Sequence, residues 1–279
     1  MALVTFNEIL PPARKAGRAI GAFNIANYET AKAVMIAAEA EKQPVILQVY
    51  QRLMTDPYIA ALAAMMRKMA ENASVPVAVH LDHGASFDQV KLAVACGFTS
   101  VMFDGSQLPF RENIKRTAEA AEYAHKHGVS IEAEIGHVPF GDGAIELSTA
   151  VEAMEFVRET GVDALAVSIG TVHGYYNKAP DIDFERAAEI GKCAGVPLVL
   201  HGGSGTPMKK VAAVIRCGFA KVNVATEFQH LFQLRLEEEL QRLEGKFLPL
   251  DKLTLSPTEA AVTHLRKLIR IFAGTEVPS

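Results

Sequence analysis

The chain has 279 residues, of which 49% are hydrophobic and 22% are charged, and its formal net charge at pH 7 is -4. This composition excludes a disordered chain, a fibrous repeat and a small disulfide-rich protein. The slightly acidic balance, without any block of basic residues, offers no electrostatic footprint for nucleic acid, so we expect no nucleic-acid partner.

The sequence also predicts no membrane partner. No apolar run approaches the ~18 residues that a spanning helix needs, and the first residues lack the basic and apolar segments of a signal peptide. The cysteines Cys96, Cys193 and Cys217 are odd in number and form no CxxC motif. A reduced, cytoplasmic protein is the simplest interpretation.

Short β-branched runs alternate with longer amphipathic stretches along the chain. In residues 28–42, for example, apolar side chains at Ala31, Val34, Met35 and Ala38 share one helix face. In chain order, the pattern predicts strand 19–24, helix 28–42, strand 45–49, helix 57–72, strand 75–81, helix 87–96, strand 100–104, helix 111–127, strand 130–134, helix 149–160, strand 164–168, helix 184–193, strand 198–201, helix 208–217, strand 221–224 and helix 226–243. A last helix is predicted at about 257–272, after a segment without clear periodicity.

Eight strand–helix units in succession predict a parallel sheet that closes inside a ring of helices, a (β/α)8 TIM barrel. An open doubly wound sheet usually has five or six strands and fits this count less well. With no linker-like tract, we expect one domain over residues 1–279, with an extra helix at the C-terminal end.

Three histidines fall at or after the carboxyl ends of predicted strands, where barrels of this kind build their active sites. His83 follows the third strand, His173 follows the sixth and His201 ends the seventh. Three imidazole nitrogens with an open fourth position are typical of a catalytic zinc site. The alternative is that each histidine fills a core position or binds a loop carbonyl, but three at such ends favour a metal.

Carboxylates occupy neighbouring strand ends. Asp82 precedes His83, Asp104 ends the fourth strand and Glu134 ends the fifth. Asp104 and Glu134 could provide an alternative metal position or orient the histidines. A structural hydrogen-bond network explains this pair equally well.

Two segments at the last strand ends suit an anion. Gly202, Gly203 and Gly205 in HGGSG allow backbone N–H groups to approach an anion closely, and the positive end of a helix beginning at Thr226 also favours phosphate. Barrels frequently place phosphate on the loops after strands seven and eight. No Walker or dinucleotide motif is present, which disfavours a nucleotide.

The segments HLDHG, MFDGS, IEAEIG, IGTVHG, LVLHGGSG and KVNVATE, in this order and spacing, resemble the class II, zinc-dependent fructose- and tagatose-bisphosphate aldolases. AFNIAN near the start also fits, and the resemblance covers about residues 20–231. VNVAT is closer to the tagatose-bisphosphate branch.

The resemblance implies one zinc ion held by His83, His173 and His201, with Asp82 as catalytic acid and base. It places Asp104 and Glu134 at a secondary cation position. It implies a dihydroxyacetone phosphate pocket formed by Asn24, Gly174, Gly202, Gly203, Ser204, Asn223, Val224, Ala225 and Thr226. A monovalent cation at the phosphate site and a homodimeric or homotetrameric assembly are also implied.

Three segments depart from the family. Where the family often has a Ser/Gly-rich loop after strand two, this chain has Tyr50, Gln51 and Arg52, so that Arg52 either meets an anionic substrate tail or is a solvated helix-start residue. After strand five the loop is shorter, and Asp142 or Glu146 would replace the family's catalytic glutamate. The segment LPLDKLTLSPTEAA lacks the arginine that meets a second phosphate.

We therefore expect a metal-dependent aldolase that cleaves a phosphorylated ketose to dihydroxyacetone phosphate and an aldehyde. The ketose resembles tagatose or fructose 1,6-bisphosphate, or carries one phosphate. A Schiff-base aldolase needs a lysine at a strand's carboxyl end, and Lys221 is predicted at the start of strand eight. The alternatives are a metal-dependent hydrolase or epimerase and a non-catalytic sugar-phosphate-binding protein.

Overall fold

The computed structural model describes residues 2–138, 145–174 and 181–278. Eight parallel strands form a closed barrel in sequence order, and the first strand pairs with both the second and the eighth. The strands are β1 (Ile20–Asn24), β2 (Val45–Tyr50), β3 (Val77–Gly84), β4 (Ser100–Phe103), β5 (Ser130–Ile135), β6 (Ala164–Val167), β7 (Leu198–Leu200) and β8 (Phe219–Val224). The predicted (β/α)8 TIM barrel is confirmed.

Helices surround this barrel on the outside, apart from the first one, which lies at one end. They are α1 (Phe6–Lys15), α2 (Tyr28–Glu41), α3 (Ile59–Glu71), α4 (Phe87–Ala95), α5 (Phe110–Lys126), α6 (Ala150–Thr160), α7 (Phe184–Cys193), α8 (Met208–Ile215), α9 (Thr226–Leu243), α10 (Leu250–Leu253) and α11 (Leu255–Phe272), with a 3-10 helix at Gln51–Thr55. The extra C-terminal helix begins two residues before its predicted start and packs against α2 and α9. That the whole chain forms one domain stays a prediction.

The amino-terminal helix α1, which the sequence did not predict, closes one end of the barrel. Thr5 N–H donates a hydrogen bond to Glu8 Oε2 at 2.7 Å and so fixes the first turn. Phe6 is fully buried, and its ring centroid lies 4.7 Å from that of His80 on β3. We call the buried Phe6 ring the barrel plug. Small side chains inside the barrel leave room for it: Ala22, Ala78, Ala164, Ala166 and Ala220.

The main hydrophobic core lies between the outer face of the strands and the helices. Side chains of most strands are buried on both faces, which explains the near-continuous apolar runs in the sequence. Within the described ranges, no helix combines the length and the apolarity needed to cross a bilayer.

Candidate active site

Asp82 and His83 are adjacent in the chain, yet both line one cavity. In a regular strand successive side chains point to opposite faces. Here the pairing of β3 with β4 shifts register between Leu81 and Gly84, and His83 has a left-handed φ of 54°. The sequence placed both residues after the strand, whereas they lie within it and depend on this irregularity.

Gly84 permits the irregular end of β3. A Cβ atom at this position would lie 2.3 Å from the carbonyl oxygen of Met102 on β4. Any other residue would therefore push the two strands apart at the point where His83 enters the cavity.

The imidazoles of His83, His173 and His201 form a compact cluster. Their ring centroids are separated by 4.6 Å for His83 and His201, 5.0 Å for His83 and His173, and 5.6 Å for His173 and His201. One ring nitrogen from each lies within 4.8 Å of the others, so the three side chains could hold one metal ion. The structure thus brings together the three histidines that the sequence singled out.

The surroundings of His201 fit a metal. Glu132 Oε1 lies 2.9 Å from His201 Nε2 in a hydrogen bond, which fixes the ring. His201 Nδ1 is 2.8 Å from Glu134 Oε2, but within the described residues neither buried atom makes a hydrogen bond of acceptable geometry. One nitrogen is therefore oriented by a carboxylate while the other remains for a ligand bond, as in carboxylate–histidine–metal sites.

Asp104 and Glu134 lie next to the histidine cluster. Asp104 Oδ2 is 2.6 Å from His83 Nδ1, and His83, Asp104 and Glu134 form a second group that could hold an ion. Burial opposes ionisation of Asp104, but the hydrogen bond and charge of His83 hold its pKa well below the ordinary range. These contacts are compatible with both predicted roles of the acidic pair, a secondary cation position and the orientation of the histidines.

Charge controls the protonation of the metal-free cluster. Burial alone would lower the pKa of His201, but close polar contacts with the Glu132 and Glu134 carboxylates, and their negative charge, raise it to about 10. Burial also lowers the pKa of His173, and the charges of His83 and His201 lower it further. A divalent ion entering the cluster must therefore displace the proton of His201.

Two amides hold the Asp82 carboxylate. Asn24 Nδ2 donates to Asp82 Oδ2 at 2.6 Å, and Asn223 Nδ2 donates to Asp82 Oδ1 at 2.9 Å. Gln48 Nε2 in turn donates to Asn24 Oδ1 at 2.7 Å. Burial would raise the pKa of Asp82, but the charges of nearby cationic groups and the Asn24 hydrogen bond bring it below its usual value. Asp82 is thus an oriented, ionised carboxylate.

The cavity beside Asp82 has a volume of about 280 Å³. Eight residues of the predicted dihydroxyacetone phosphate pocket line it: Asn24, Gly174, Gly202, Gly203, Ser204, Asn223, Ala225 and Thr226. The structure does not bring the side chain of Val224 to this cavity, because it is fully buried in the hydrophobic core. Val224 faces outward from β8, since it follows the inward-facing Asn223.

The loop after β7 is tied to the start of α9. Ser204 Oγ accepts hydrogen bonds from the N–H groups of Ala225 at 3.1 Å and Glu227 at 3.4 Å. Gly203 N–H donates to the Asn223 carbonyl at 3.1 Å. These contacts place a glycine loop and the positive end of an 18-residue helix on the same wall of the cavity.

Lys221 is not at the start of β8, as predicted, but is the third residue of that strand. Its side chain is fully buried, with Nζ 2.8 Å from Glu132 Oε2 and 2.7 Å from Asn223 Oδ1. An ammonium held in an ion pair is a poor nucleophile for a carbonyl group. This contact gives a structural reason, absent from the sequence, against a Schiff base at Lys221.

The residues that depart from the family pattern have different positions. Arg52 lines the cavity from the 3-10 helix after β2, next to Tyr50. Asp142 lies outside the described residues. Glu146 is exposed, its backbone pairs with that of His137, and it is absent from the described lining of the cavity.

Comparison with known proteins gives one consistent family. The model of the family "Fructose-bisphosphate aldolase class-II" matches residues 4–276. A "Probable fructose-bisphosphate aldolase" of Bacillus subtilis (strain 168) is 41% identical over 273 residues, which are 94% of each chain. A "Fructose-bisphosphate aldolase" of Staphylococcus aureus (strain Mu50 / ATCC 700699) is 44% identical over 240 residues, 82% of this chain and 83% of the relative.

The chain belongs to the class II fructose-bisphosphate aldolase family. The crystal structure of the YdjI aldolase from Escherichia coli K12 superposes with a TM-score of 0.88 at 32% identity, covering 99% of this chain and 100% of that one. The expected enzyme class, an aldolase and hence a lyase, is confirmed by this membership. The closer resemblance to the tagatose-bisphosphate branch stays a prediction.

Some residues of this class II aldolase site were not identified from the sequence. Gln48 reaches Asp82 through Asn24, while Gln229, His230 and Gln233 of α9 line the cavity. Gln48 lies in an apolar strand, and a polar residue within a buried run was a signal that could have identified it. The α9 residues carried no such signal, since polar side chains are ordinary on an amphipathic helix.

Proposed function

We propose that this class II aldolase cleaves a phosphorylated ketose to dihydroxyacetone phosphate and an aldehyde with the help of one zinc ion. His83, His173 and His201 would hold the ion, and Asp104 and Glu134 lie where they would orient these ligands or provide a secondary cation position. The observation that supports this proposal most is that Asp82, His83, His173 and the two anion-binding segments all border one cavity, with His201 grouped beside the other two imidazoles.

Asp82 is the group that moves a proton. Its carboxylate lies 4.0 Å from His83 Nε2, so a ketose carbonyl near the imidazoles places the hydroxyl two carbons away within reach of the carboxylate. As the carbon–carbon bond breaks, Asp82 accepts that hydroxyl proton and the aldehyde forms. When bound, zinc would supply a Lewis acid that stabilises the negative charge left beside the carbonyl. The carbon that carries this charge then gains a proton from solvent and Asp82 returns its proton to solvent, which gives dihydroxyacetone phosphate.

The remaining residues bind and orient the substrate. Asn24 and Asn223 hold Asp82 in place, and the wall formed by Gly202, Ser204 and Thr226 suits the phosphate through backbone N–H groups and the positive end of α9. We infer that a monovalent cation joins the phosphate there, as the family resemblance implies.

The substrate is a ketose bisphosphate of the fructose or tagatose type, or a ketose with one phosphate. The names of the relatives support the former, and the missing arginine in 248–261 supports the latter. A homodimer or homotetramer in the cytoplasm, without nucleic-acid or membrane partners, stays a prediction.

A retro-aldol screen tests the proposal. Zinc-loaded protein is incubated with fructose and tagatose 1,6-bisphosphates and with ketose 1-phosphates, and triose phosphate is read through a coupled dehydrogenase. Asp82→Asn should lower the turnover number about 10²–10⁴-fold, whereas Asp88→Asn, a change on the exposed face of α4, should not. Triose phosphate release at the wild-type rate by Asp82→Asn contradicts the role of Asp82. Inorganic phosphate without triose phosphate indicates a hydrolase, and binding without any product indicates a sugar-phosphate sensor.

A further inference from the structure

Tyr50 and Arg52 form a separate wall of the cavity, which we call the β2 wall. The Tyr50 ring centroid lies 5.7 Å from that of His83, and the Arg52 guanidinium carbon lies 5.1 Å from the centre of the Tyr50 ring. These contacts therefore connect the imidazole cluster, through Tyr50, to the cation of Arg52 at the mouth of the cavity.

Arg52 is the one lysine or arginine among the described residues that line this cavity. Its planar guanidinium packs on Tyr50, and it forms no ion pair with the described part of the chain. A cation–π contact does not occupy the guanidinium N–H groups with oxygen acceptors, and such N–H groups match carboxylate or phosphate oxygens in pairs.

The order of the strands relates the β2 wall to the reacting bond. The wall formed by Gly202, Ser204 and Thr226, which we call the phosphate wall, follows β7 and β8. Strand β2 lies between β1 and β3, and its Tyr50 pairs in register with Asp82. Asp82 takes its proton from the hydroxyl on the aldehyde side of the breaking bond. The atoms beyond that carbon therefore leave Asp82 on the side away from the phosphate wall, toward Tyr50 and Arg52.

We propose that Arg52 determines which aldehyde half this enzyme accepts: its guanidinium binds an anionic group, a carboxylate or a phosphate, at the end of that half. Tyr50 packs against the carbons that connect this group to the reacting centre. The inference rests on the proposed aldolase function and specifies its substrate class.

The test compares ketose 1-phosphates of equal chain length that end in a hydroxymethyl group, a carboxylate or a phosphate. The kcat/KM for triose phosphate release is measured with wild type, Arg52→Gln and Arg52→Lys. Charge-assisted hydrogen bonds to Arg52 predict that Arg52→Gln lowers kcat/KM for a charged substrate about 10- to 100-fold more than for the neutral one. Arg52→Lys should recover part of that loss, because it restores the charge but not the paired N–H geometry.

The matched control is Arg158→Gln, which removes an exposed arginine of α6 whose partner is the neighbouring Glu159. It should change none of the three kcat/KM values. The charged substrate with the larger dependence on Arg52 identifies the group as carboxylate or phosphate.

Equal losses of kcat/KM on charged and neutral substrates in Arg52→Gln, or no loss on any, would overturn the proposal while leaving the aldolase function intact. Wild-type protein that releases triose phosphate from none of the ketose phosphates would overturn both.

Discussion

The ammonium of Lys221 lies 2.8 Å from Glu132 Oε2 in the middle of the barrel, and neither side chain is exposed to solvent. Glu132 also orients His201, and Lys221 also bonds the Asn223 amide that holds Asp82. One buried cation thus connects a proposed zinc ligand to the proposed acid and base. We regard Lys221 as a positioning residue for both.

Lys221→Met should strongly destabilise the metal-free protein. The substitution removes the ammonium that pairs with the buried Glu132 carboxylate, and breaking such a pair costs about 3–5 kcal/mol in free energy of unfolding. Urea unfolding of the single variant, of Glu132→Gln and of the double variant measures the coupling. We expect the double variant to be more stable than Lys221→Met alone. Strictly additive losses would show that the two charges do not stabilise each other.

Zinc binding should release protons. Because folding raises the pKa of His201, the protonated ring stabilises the metal-free fold. This stabilisation is fully present below ~6.5, the pKa of histidine in the unfolded chain, and it is lost as the pH rises toward about 10. Zinc needs the deprotonated ring, so its affinity should rise about tenfold per pH unit for each proton displaced in this window.

Titration calorimetry at pH 7.5 in two buffers of different ionisation enthalpy counts these protons. We expect about one or more protons per zinc ion. His125→Gln changes an exposed histidine paired with Asp163 and should give the same count as wild type. Binding without proton release would contradict the protonation assigned to His201.

Phe6→Ala should destabilise the fold through the barrel plug. The fully buried ring packs on His80, and its centre lies 5.7 Å from Lys221 Nζ. Truncation leaves a cavity at the closed end of the barrel, at a cost of about 3–5 kcal/mol. Tyr58→Ala, at a side chain that is 77% exposed, provides the control and should change stability by less than about 0.5 kcal/mol. Chemical denaturation of both variants measures the difference, and equal stabilities would argue against the plug.

The sequence predicted the barrel because each strand is a short buried run and each intervening helix has an apolar face. It missed α1, because Pro11 and Pro12 lie within its ten residues and proline usually ends a helix. It also missed α10, because four residues are too few to show a helical periodicity. Short elements depend on tertiary packing, which local patterns do not contain.

The site could be predicted where its residues stand at strand ends. His83, His173 and His201 were recognised there, and the structure brings them together. The position of Asp82 beside them depends on the left-handed backbone of His83, and a pattern of residue types does not specify a dihedral angle. The sequence placed Lys221 at a strand start, because a local pattern does not show the contacts with Glu132 on β5 and with Asn223 on β8 that hold its side chain inside the barrel.

The most direct test of the account is a zinc titration of the metal-free protein during retro-aldol turnover. Triose phosphate release from the best ketose phosphate should be absent without zinc, rise in proportion to added zinc and reach its plateau at one ion per chain. His173→Ala should need far more zinc to reach any plateau. Full release by the metal-free protein, or a plateau that His173→Ala reaches with the same zinc requirement as wild type, would contradict an aldolase site built on three imidazoles and one ion.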